Sequence, residues 1–520
     1  MNFKQPYNSR RSPICAKNVV ASSQPLATQA GLKALQDGGN AVDAALACAI
    51  TLTVVEPCNN GLGSDAFAIL WDGDRVVGLN ASGRAPQAWT REYFGNVTKI
   101  PDFGWDSVTV PGAVSAWVAL SERYGKLPFN DLFDAAIEYA QNGFAVGPVT
   151  AQVWKYAERA YQDYPDFAEH FLPTPNAADL FRRPDMVRSL ELIRDSHGED
   201  FYHGELARQI SLAATDAGAG FSLQDLKEHE ANWITPIEQP YNRAALHEIP
   251  PNGQGLAAQI ALGILSHVKT GELDSPVLIH QQIEAMKIAI RAAFDHFSDL
   301  ATMRITPAQL LDQQSLNLAA QQISKNATHL PPAELPVSKD TVYLCAADKD
   351  GMMVSFIQSN YLGFGSGIVI PKTGIAMQNR GRGFSLDPEH PNCVGPGKRP
   401  FHTIIPGFAT YDQKPSLAFG VMGGHMQHQG HVQMMQRIFD FDQNPQAACD
   451  APRWHVYPDF SVGLEVGTSE AVYDALVKRG HKVKFETDVN VFGGAQLIQK
   501  VSGGYVAGSD HRKEGQAAGY

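Results

Sequence analysis

The sequence predicts an α/β fold, in which helical and strand segments alternate along the chain. Two observations support this: four long segments have helical spacing of apolar residues, and shorter β-prone segments lie between turn signals. The predicted helices span 113–143, 205–215, 254–267 and 278–299. With 520 residues, 44% hydrophobic and 18% charged, the chain has a globular composition. Its length allows two to four domains or one large layered domain.

Two further helices are predicted near the amino terminus. Gly38-Gly39 ends a helix that includes Ala27 to Leu35, and Asn40 is placed to cap the next one. Ala41 to Val55 is the longest apolar run, but it contains Asp43 and is too short to span a membrane. We therefore expect this run to form a buried helix.

Strand signals occur in both halves of the chain. Gly61 to Asp65 is a glycine-rich bend, and Phe67 to Leu79 predicts a hairpin around Asp72-Gly73. Further strands are expected near 368–377 and 403–410.

A polar segment with three prolines, 325–340, interrupts this alternation. Its composition predicts an exposed connector. Strand character resumes at once, since Thr341 to Ala347 and Val354 to Gln358 flank the hairpin signal Asp350-Gly351. The connector therefore leads directly into a predicted β-hairpin.

Charge and composition exclude several function classes. The formal net charge is -12, from 42 basic and 54 acidic residues, which disfavours nucleic acid and anionic membranes as partners. The segment from Met1 to Pro13 is polar and no apolar core follows it, so we do not expect a signal peptide. The six cysteines form no Cys-x-x-Cys pair and fit no zinc pattern. We expect a cytoplasmic protein without a metal or an organic cofactor.

Thr341 becomes a candidate nucleophile if the bond between Asp340 and Thr341 is cut. The α-amine of an N-terminal threonine can act as the base for its own hydroxyl, because its pKa of about 8 lies close to working pH. An exposed connector that meets a strand is a suitable place for such a cut. From these residues alone, an ordinary surface loop remains the alternative.

Two other features fit amide hydrolysis. Thr341 and Ser359 each lie nine residues from Asp350, so a hairpin centred there would place them opposite each other. A register slip of one residue would separate their side chains. Gly423-Gly424 follows an apolar run and could offer two backbone N–H groups to an oxyanion, although a plain turn remains the alternative.

Several stretches, in this order, resemble the gamma-glutamyltranspeptidase family of N-terminal-nucleophile hydrolases. They are Gly38-Gly39-Asn40-Ala41-Val42-Asp43-Ala44-Ala45, Val110-Pro111-Gly112, Asp348-Lys349-Asp350-Gly351, Gly395-Pro396-Gly397-Lys398-Arg399-Pro400, Ala451-Pro452-Arg453, Ser509-Asp510-His511-Arg512 and Ala518-Gly519-Tyr520. The resemblance runs from about Asn18 to Tyr520. It implies a four-layered αββα sandwich in which a large chain, 1–340, and a small chain, 341–520, share one core.

The resemblance also implies roles for individual residues. Thr341 corresponds to the threonine that both cleaves the precursor and attacks the substrate. Ser359 stands where the family has a threonine that orients the nucleophile, and Gly423 and Gly424 match its oxyanion-hole glycines. The two chains are expected to form either one heterodimer or a dimer of heterodimers.

The substrate-binding positions depart from the family pattern. Tyr361 and Gly383 replace the asparagine and aspartate that help to hold a glutamyl ammonium group, and Arg380 replaces a glutamine. The loss of the carboxylate and the gain of a guanidinium predict a pocket for an anion that lacks an α-ammonium group. Arg382, close to Arg380 in sequence, is a further candidate to bind a carboxylate, with a solvated surface position as the alternative for both arginines.

Other pocket positions differ as well. The family's carboxylate-binding arginine aligns with Ser82, but Arg84 stands two residues later and could serve the same purpose, with a structural role as the alternative. His402 and Thr403 replace two serines. His402 could donate to a substrate oxygen or be a packed core histidine.

These features predict a self-cleaving zymogen that hydrolyses a small acidic amide. The resemblance narrows to members that hydrolyse oxamate to oxalate and ammonia, at the end of a purine (urate and allantoin) degradation route. A glutaryl-type acylase acting on cephalosporins is the main alternative, and gamma-glutamyl hydrolysis or transfer is a second. A non-catalytic binding protein is the remaining possibility, which the retained nucleophile and glycines disfavour.

Overall fold

A computed structural model describes Phe3, residues 11–329 and residues 341–520. Asp340 and most of the predicted connector lie outside the described residues. Among the residues that are described, no helix is both long and apolar enough to cross a membrane.

Strands account for both central layers of the molecule. In the described ranges, the strands are β1 (Ile14–Ala16), β2 (Val19–Ser22), β3 (Asp65–Trp71), β4 (Val76–Ala81), β5 (Phe144–Ala145), β6 (Leu180–Phe181), β7 (Asn232–Ile234), β8 (Ile237–Tyr241), β9 (Ala244–Glu248), β10 (Val342–Ala347), β11 (Met353–Ser359), β12 (Val369–Ile370), β13 (Ile375–Ala376), β14 (Gly407–Tyr411), β15 (Lys414–Met422), β16 (Trp454–Val456), β17 (Val462–Glu465), β18 (Val483–Glu486), β19 (Gly494–Val501), β20 (Gly504–Ser509) and β21 (Gln516–Gly519).

Helices make up the outer layers. In the same part of the chain they are α1 (Pro25–Gln36), α2 (Ala41–Val55), α3 (Ala113–Tyr124), α4 (Asp134–Asn142), α5 (Pro148–Trp154), α6 (Ala157–Ala160), α7 (Pro165–Phe171), α8 (Pro184–Asp195), α9 (Glu199–His203), α10 (Glu205–Asp216), α11 (Leu223–Lys227), α12 (Gly255–Leu265), α13 (Pro276–His296), α14 (Pro307–Leu310), α15 (Gln313–Ala320), α16 (Met426–Phe439), α17 (Pro445–Asp450) and α18 (Glu470–Lys478).

Two seven-stranded antiparallel sheets face each other. Sheet I has the strand order β21-β2-β10-β11-β3-β4-β7, and sheet II has the order β1-β20-β19-β15-β14-β9-β8. Each sheet contains strands that come before the predicted cleavage point in the sequence and strands that come after it. In sheet I, for example, β10 pairs with β2 on one side and with β11 on the other. The segments before and after the predicted cut therefore share one core.

The alternation of side chains in β10 explains the layering. Val342, Leu344 and Ala346 pack into a core beneath α2, α3 and α4, whereas the alternate residues, such as Tyr343 and Cys345, pack into the core between the sheets. Sheet II is covered in the same way by α12, α16 and α17. These four layers confirm the predicted αββα sandwich.

Most predicted elements are confirmed, with one correction. All residues of α2 are buried, and Asp43 completes a capping box with Asn40, which explains a carboxylate within an apolar run. The helix expected over 113–143 is interrupted. It ends at Tyr124 and resumes as α4, because Pro128 disfavours helical geometry in the residue before it and has no N–H to donate.

Candidate functional site

Thr341 lies fully buried at the start of β10, in the middle of sheet I. The hairpin register pairs Val342 with Gln358, so Thr341 comes opposite Ser359, as the spacing predicts. Its Oγ1 donates a hydrogen bond of 3.3 Å to Ser359 Oγ. Gln427 Nε2 lies 3.4 Å from the same Oγ1 and donates to it. Ser359 belongs to β11 of sheet I, and Gln427 belongs to α16, which packs on sheet II. The hydroxyl of the candidate nucleophile therefore has a partner on the side of each sheet.

Ser359 ends β11 and connects the candidate nucleophile to the next turn. Its Oγ also accepts the backbone N–H of Tyr361 at 2.9 Å. Tyr361 has a φ of 85°, which an L residue rarely adopts. This turn directs the chain from the nucleophile towards the pocket positions Tyr361 and Arg380.

Gly423 and Gly424 form the junction between β15 and α16. Their φ angles are 120° and 57°, in the left-handed region that glycine adopts most easily. A side chain at Gly423 would come within 2.9 Å of Gly493 Cα. At Gly423 both the backbone conformation and the lack of space therefore require glycine.

Gln254, just before α12, holds this junction in place, a role that no motif in the sequence indicates. Its Nε2 donates to the Gly424 carbonyl at 2.9 Å and also to the Thr403 carbonyl. Its Oε1 accepts from Nδ1 of His425 and His428, at 3.2 and 2.9 Å. One buried amide thus connects the glycine pair to the segment that carries the pocket residues.

Arg380 is buried and close to these groups. Its Nη1 donates to Thr403 Oγ1 at 2.8 Å, and its guanidinium carbon lies 4.3 Å from the centre of the Tyr361 ring. Its Nε and Nη2 are also buried but have no hydrogen-bond partner among the described residues. Burial lowers the pKa of Arg380 to about 10, so the side chain stays cationic at neutral pH. It is a cation with two donors still available.

Asp65, at the start of β3, is a buried carboxylate whose charge opposes that of Arg380. Its Oδ1 accepts from Gly83 N and Gln378 Nε2, both at 2.8 Å, and its Oδ2 accepts from His402 Nε2 at 2.9 Å. Burial raises the pKa of Asp65 to about 6, against the opposing effect of Arg380. Both carboxylate oxygens are already occupied by protein donors.

Of the two roles predicted for His402, the structure shows that of a packed, hydrogen-bonded core histidine. Its Nε2 donates to Asp65, and its Nδ1 accepts the N–H of Ile404 at 3.4 Å. Burial, together with Arg380, holds the pKa of His402 well below its usual value, so the ring is neutral. Since both nitrogens have partners in the protein, His402 positions Asp65 rather than offering a spare N–H.

Arg84 and Arg382 differ from Arg380 because protein groups already hold them. Arg84 is 41% exposed; its Nη1 donates to the Gly397 carbonyl at 3.0 Å and lies 3.9 Å from Asp299. Arg382 is 20% exposed and forms an ion pair with Asp102. Of the three candidate arginines, Arg380 alone is fully buried with unpartnered donors.

Two of the stretches that carry the family resemblance meet in a buried ion network. Arg453 and Arg512 both bind the fully buried Asp510, and Arg512 also pairs with Glu465. Arg453 Nη1 donates to the Phe492 carbonyl at 2.7 Å, and Asp510 accepts the N–H of Ala495. The network therefore supports the turn at Gly493, against which Gly423 packs.

One group among the described residues could be arranged around a metal ion: His280, Glu284 and His481. Lys287 Nζ lies 2.8 Å from Glu284 Oε1 and 3.3 Å from His481 Nδ1. An ammonium group in this position competes with a cation, so the cluster is explained by its hydrogen bonds.

A family model described as gamma-glutamyltranspeptidase matches residues 27–520. The chain belongs to the gamma-glutamyltranspeptidase family. It is 34% identical to a glutathione hydrolase-like proenzyme of Bacillus subtilis and 32% identical to an oxamate amidohydrolase proenzyme of Klebsiella pneumoniae subsp. pneumoniae, in each case over 98% of this chain and 99% of the relative. A crystal structure of cephalosporin acylase from Bacillus halodurans superposes with a TM-score of 0.96, at 43% identity over 100% of this chain and 99% of that one.

Membership of the gamma-glutamyltranspeptidase family makes this chain the proenzyme of an amide hydrolase with the N-terminal-nucleophile fold. The three relatives are named for three different activities. Their names therefore do not determine the substrate of this chain, which depends on its own pocket residues.

Proposed function

We propose that this proenzyme cleaves itself between Asp340 and Thr341 and then hydrolyses a small acidic amide without an α-ammonium group, with oxamate as the preferred candidate. The observation that carries the proposal is Arg380. A buried guanidinium with two unpartnered donors is costly unless an anion completes it. A substrate carboxylate would accept from both nitrogens in the forked geometry that guanidinium favours.

The carboxylates that the structure describes in this region, Asp65 and Asp102, are already bound by protein groups, so neither is open to a substrate ammonium group. Gly383 stands where the family has an aspartate, and a side chain there would collide with the Phe401 carbonyl oxygen. Asp65 is buried nearby, but its two oxygens already accept hydrogen bonds from three protein groups. These features favour oxamate, which has a carboxylate and an amide but no ammonium.

In the proposed maturation, Thr341 Oγ1 attacks the carbonyl carbon of Asp340, and the acyl group shifts from nitrogen to oxygen. Water then hydrolyses the ester, which leaves a large chain, 1–340, and a small chain, 341–520. In proportion to 340 and 180 of the 520 residues of a 56.5 kDa protein, these weigh about 37 and 20 kDa. The two chains stay together as a heterodimer, because both contribute strands to each sheet.

In the proposed catalytic cycle, the freed α-amine of Thr341 removes the proton from Oγ1, which attacks the amide carbon. The N–H groups of Gly423 and Gly424 stabilise the oxyanion, and Ser359 orients the attacking hydroxyl. The C–N bond breaks, and the leaving nitrogen takes the proton that the amine had removed. Water then hydrolyses the ester of Thr341 and releases the acid.

The test is the release of ammonia or amine from three substrates: oxamate, a glutaryl amide and a gamma-glutamyl amide. We expect turnover of an amide whose acyl group has no ammonium group. Fast turnover of the gamma-glutamyl amide alone would refute the proposal that the pocket prefers such an acyl group. Thr341→Ala should leave one band of 56.5 kDa and no turnover, with Thr328→Ala as the matched control. Turnover that survives in Thr341→Ala would refute the assignment of the nucleophile.

A glutaryl-type acylase is the second candidate. It is favoured by the similarity to the cephalosporin acylase structure, at 43% identity over the whole chain. A glutaryl group also has a carboxylate and no ammonium, so it meets the same charge requirement at Arg380. The length of acyl group that fits between Thr341 and Arg380 separates the two candidates, and the substrate series above measures it.

A further inference from the structure

A cavity of about 730 Å³ is lined by Arg382 and by residues a few positions along the chain from other candidate site residues. Its apolar wall includes Val153 and Tyr156 from the α5 region and Leu362 and Phe364 from the segment after β11. A volume of this size is in the range of small-molecule sites, about 300 to 1,000 Å³. The cavity is therefore large enough for an aromatic ring, whereas ammonia would leave it empty.

Three parts of the cavity wall are adjacent in sequence to three parts of the reaction centre. Leu362 comes three residues after Ser359, and its N–H donates to Asn379 Oδ1 at 3.1 Å. Arg382 comes two residues after Arg380 on the same short 3₁₀ turn. Asn490 comes three residues before Gly493.

Since Gly493 abuts Gly423, the cavity is bordered by segments leading from the nucleophile, the anion site and the glycine pair. The cavity therefore borders the chain segments that lead to the candidate reaction centre.

The two sides of this centre have opposite character. Arg380 is fully buried, so the acyl side is closed, whereas the cavity is open and Tyr156 in its wall is 51% exposed. The amine is the first product, and it must depart while the acyl group is still bound to Thr341. An open cavity provides that exit.

The charge of the cavity also differs from that of the acyl side. Its charged lining residues are Asp102 and Asp488 against one cation, Arg382, which Asp102 already pairs. The lining therefore carries a net negative charge of one. A substrate that fits both sides has an anionic acyl group and a neutral or cationic amine.

We propose that this cavity, which we call the amine cavity, receives the leaving amine, and that it selects an amine with a flat apolar body and a cationic rather than an anionic substituent. This rests on the proposed hydrolysis of an acidic amide, and it specifies the amine half of that amide; oxamate, which releases ammonia, would be hydrolysed without using the cavity. An N-acylated arylmethylamine is the simplest molecule of this class.

The test uses the processed enzyme and four amides of its best dicarboxylic acyl group: methylamide, benzylamide, 4-(aminomethyl)benzylamide and 4-carboxybenzylamide. We expect kcat/KM for the benzylamide to exceed that for the methylamide about tenfold, since a phenyl ring is buried. The cationic substrate should exceed the anionic one about fivefold at low salt, and the ratio should fall as salt is added.

Val153→Trp should fill the cavity and lower the benzylamide-to-methylamide ratio about tenfold. Tyr156→Ala, at a largely exposed position, should lower the same ratio by removing an aromatic wall, which covers the case in which the tryptophan variant does not fold. Leu212→Trp on exposed α10 is the matched control and should keep the wild-type ratio.

Equal kcat/KM values for the methylamide and the benzylamide, unchanged in Val153→Trp and Tyr156→Ala, would overturn the amine cavity. A preference for the carboxybenzylamide would overturn its charge selection. Both results require turnover of the amides. If the proposed function itself is wrong, no amide of an anionic acyl group is hydrolysed, so the two failures can be distinguished.

Discussion

Replacing Arg380 with methionine separates binding of the substrate anion from support of the fold. Methionine fills a similar volume but has no charge and no donors. Arg380 Nε and Nη2 are the two donors that a carboxylate would use, and hydrogen bonds to charged groups contribute about 1.5 to 3 kcal/mol each. Together they should supply about 3 to 6 kcal/mol, which corresponds to a loss of about 10²- to 10⁴-fold in kcat/KM.

The fold should tolerate this change. Removing a buried cation with two unpartnered donors relieves a desolvation cost, which offsets the lost bond to Thr403 Oγ1. We expect the free energy of unfolding to change by about 1 kcal/mol or less. Urea denaturation of the wild type and of Arg380→Met measures this directly.

The assay compares kcat/KM for an anionic acyl amide with that for an uncharged acyl amide of similar length. Arg380→Met should lower only the first, and Arg84→Met and Arg382→Met should cost less than about tenfold, because protein groups already hold those side chains. Arg188→Met, at an exposed surface pair, is the inert control. Equal losses on charged and uncharged substrates, or a larger loss in Arg84→Met, would refute the assignment.

Three other predictions concern groups that act through their neighbours. Gln254→Met should lower kcat about tenfold with little change in KM, since it releases the Gly424 carbonyl; a rise in KM alone would contradict this. As pH rises through about 6, Asp65 ionises and offsets Arg380, so KM for an anionic amide should rise while that for an uncharged amide stays flat. Asp510→Asn should cost about 3 to 5 kcal/mol of stability in urea, because Arg453 and Arg512 lose their buried partner.

The stability due to Asp510 should also depend on pH. The two arginines hold its pKa below the ordinary value, so its contribution is present above the pKa of an unfolded aspartate and is lost as the pH falls below it.

The pairing of the candidate nucleophile Thr341 with Ser359 could be predicted because it depends on local geometry. Once a turn is centred on Asp350, antiparallel pairing determines which residue faces Thr341, and the observed register agrees. The alternation of buried residues along β10 likewise follows from the period of a strand.

The states of the arginines could not be predicted, because burial and pairing depend on distant parts of the chain. Arg380 and Arg382 are two residues apart, yet one stacks on Tyr361 and the other pairs with Asp102, about 280 positions away in the sequence. Gln254 gave no signal for the same reason. Its partners are backbone carbonyls 149 and 170 positions away, and a carbonyl leaves no mark in the sequence.

The position of β10 between β2 and β11 has a consequence for the reversibility of thermal unfolding. A precursor that unfolds is still one molecule and can refold in a first-order reaction. After a cut before Thr341, the two products must find each other again, so recovery becomes second order and slows on dilution. Once processed, the enzyme would lose reversible folding, and its lifetime at high temperature would be set by its unfolding rate. Activity recovered after heating should therefore fall on dilution for the processed form, whereas refolding of the precursor should not depend on dilution.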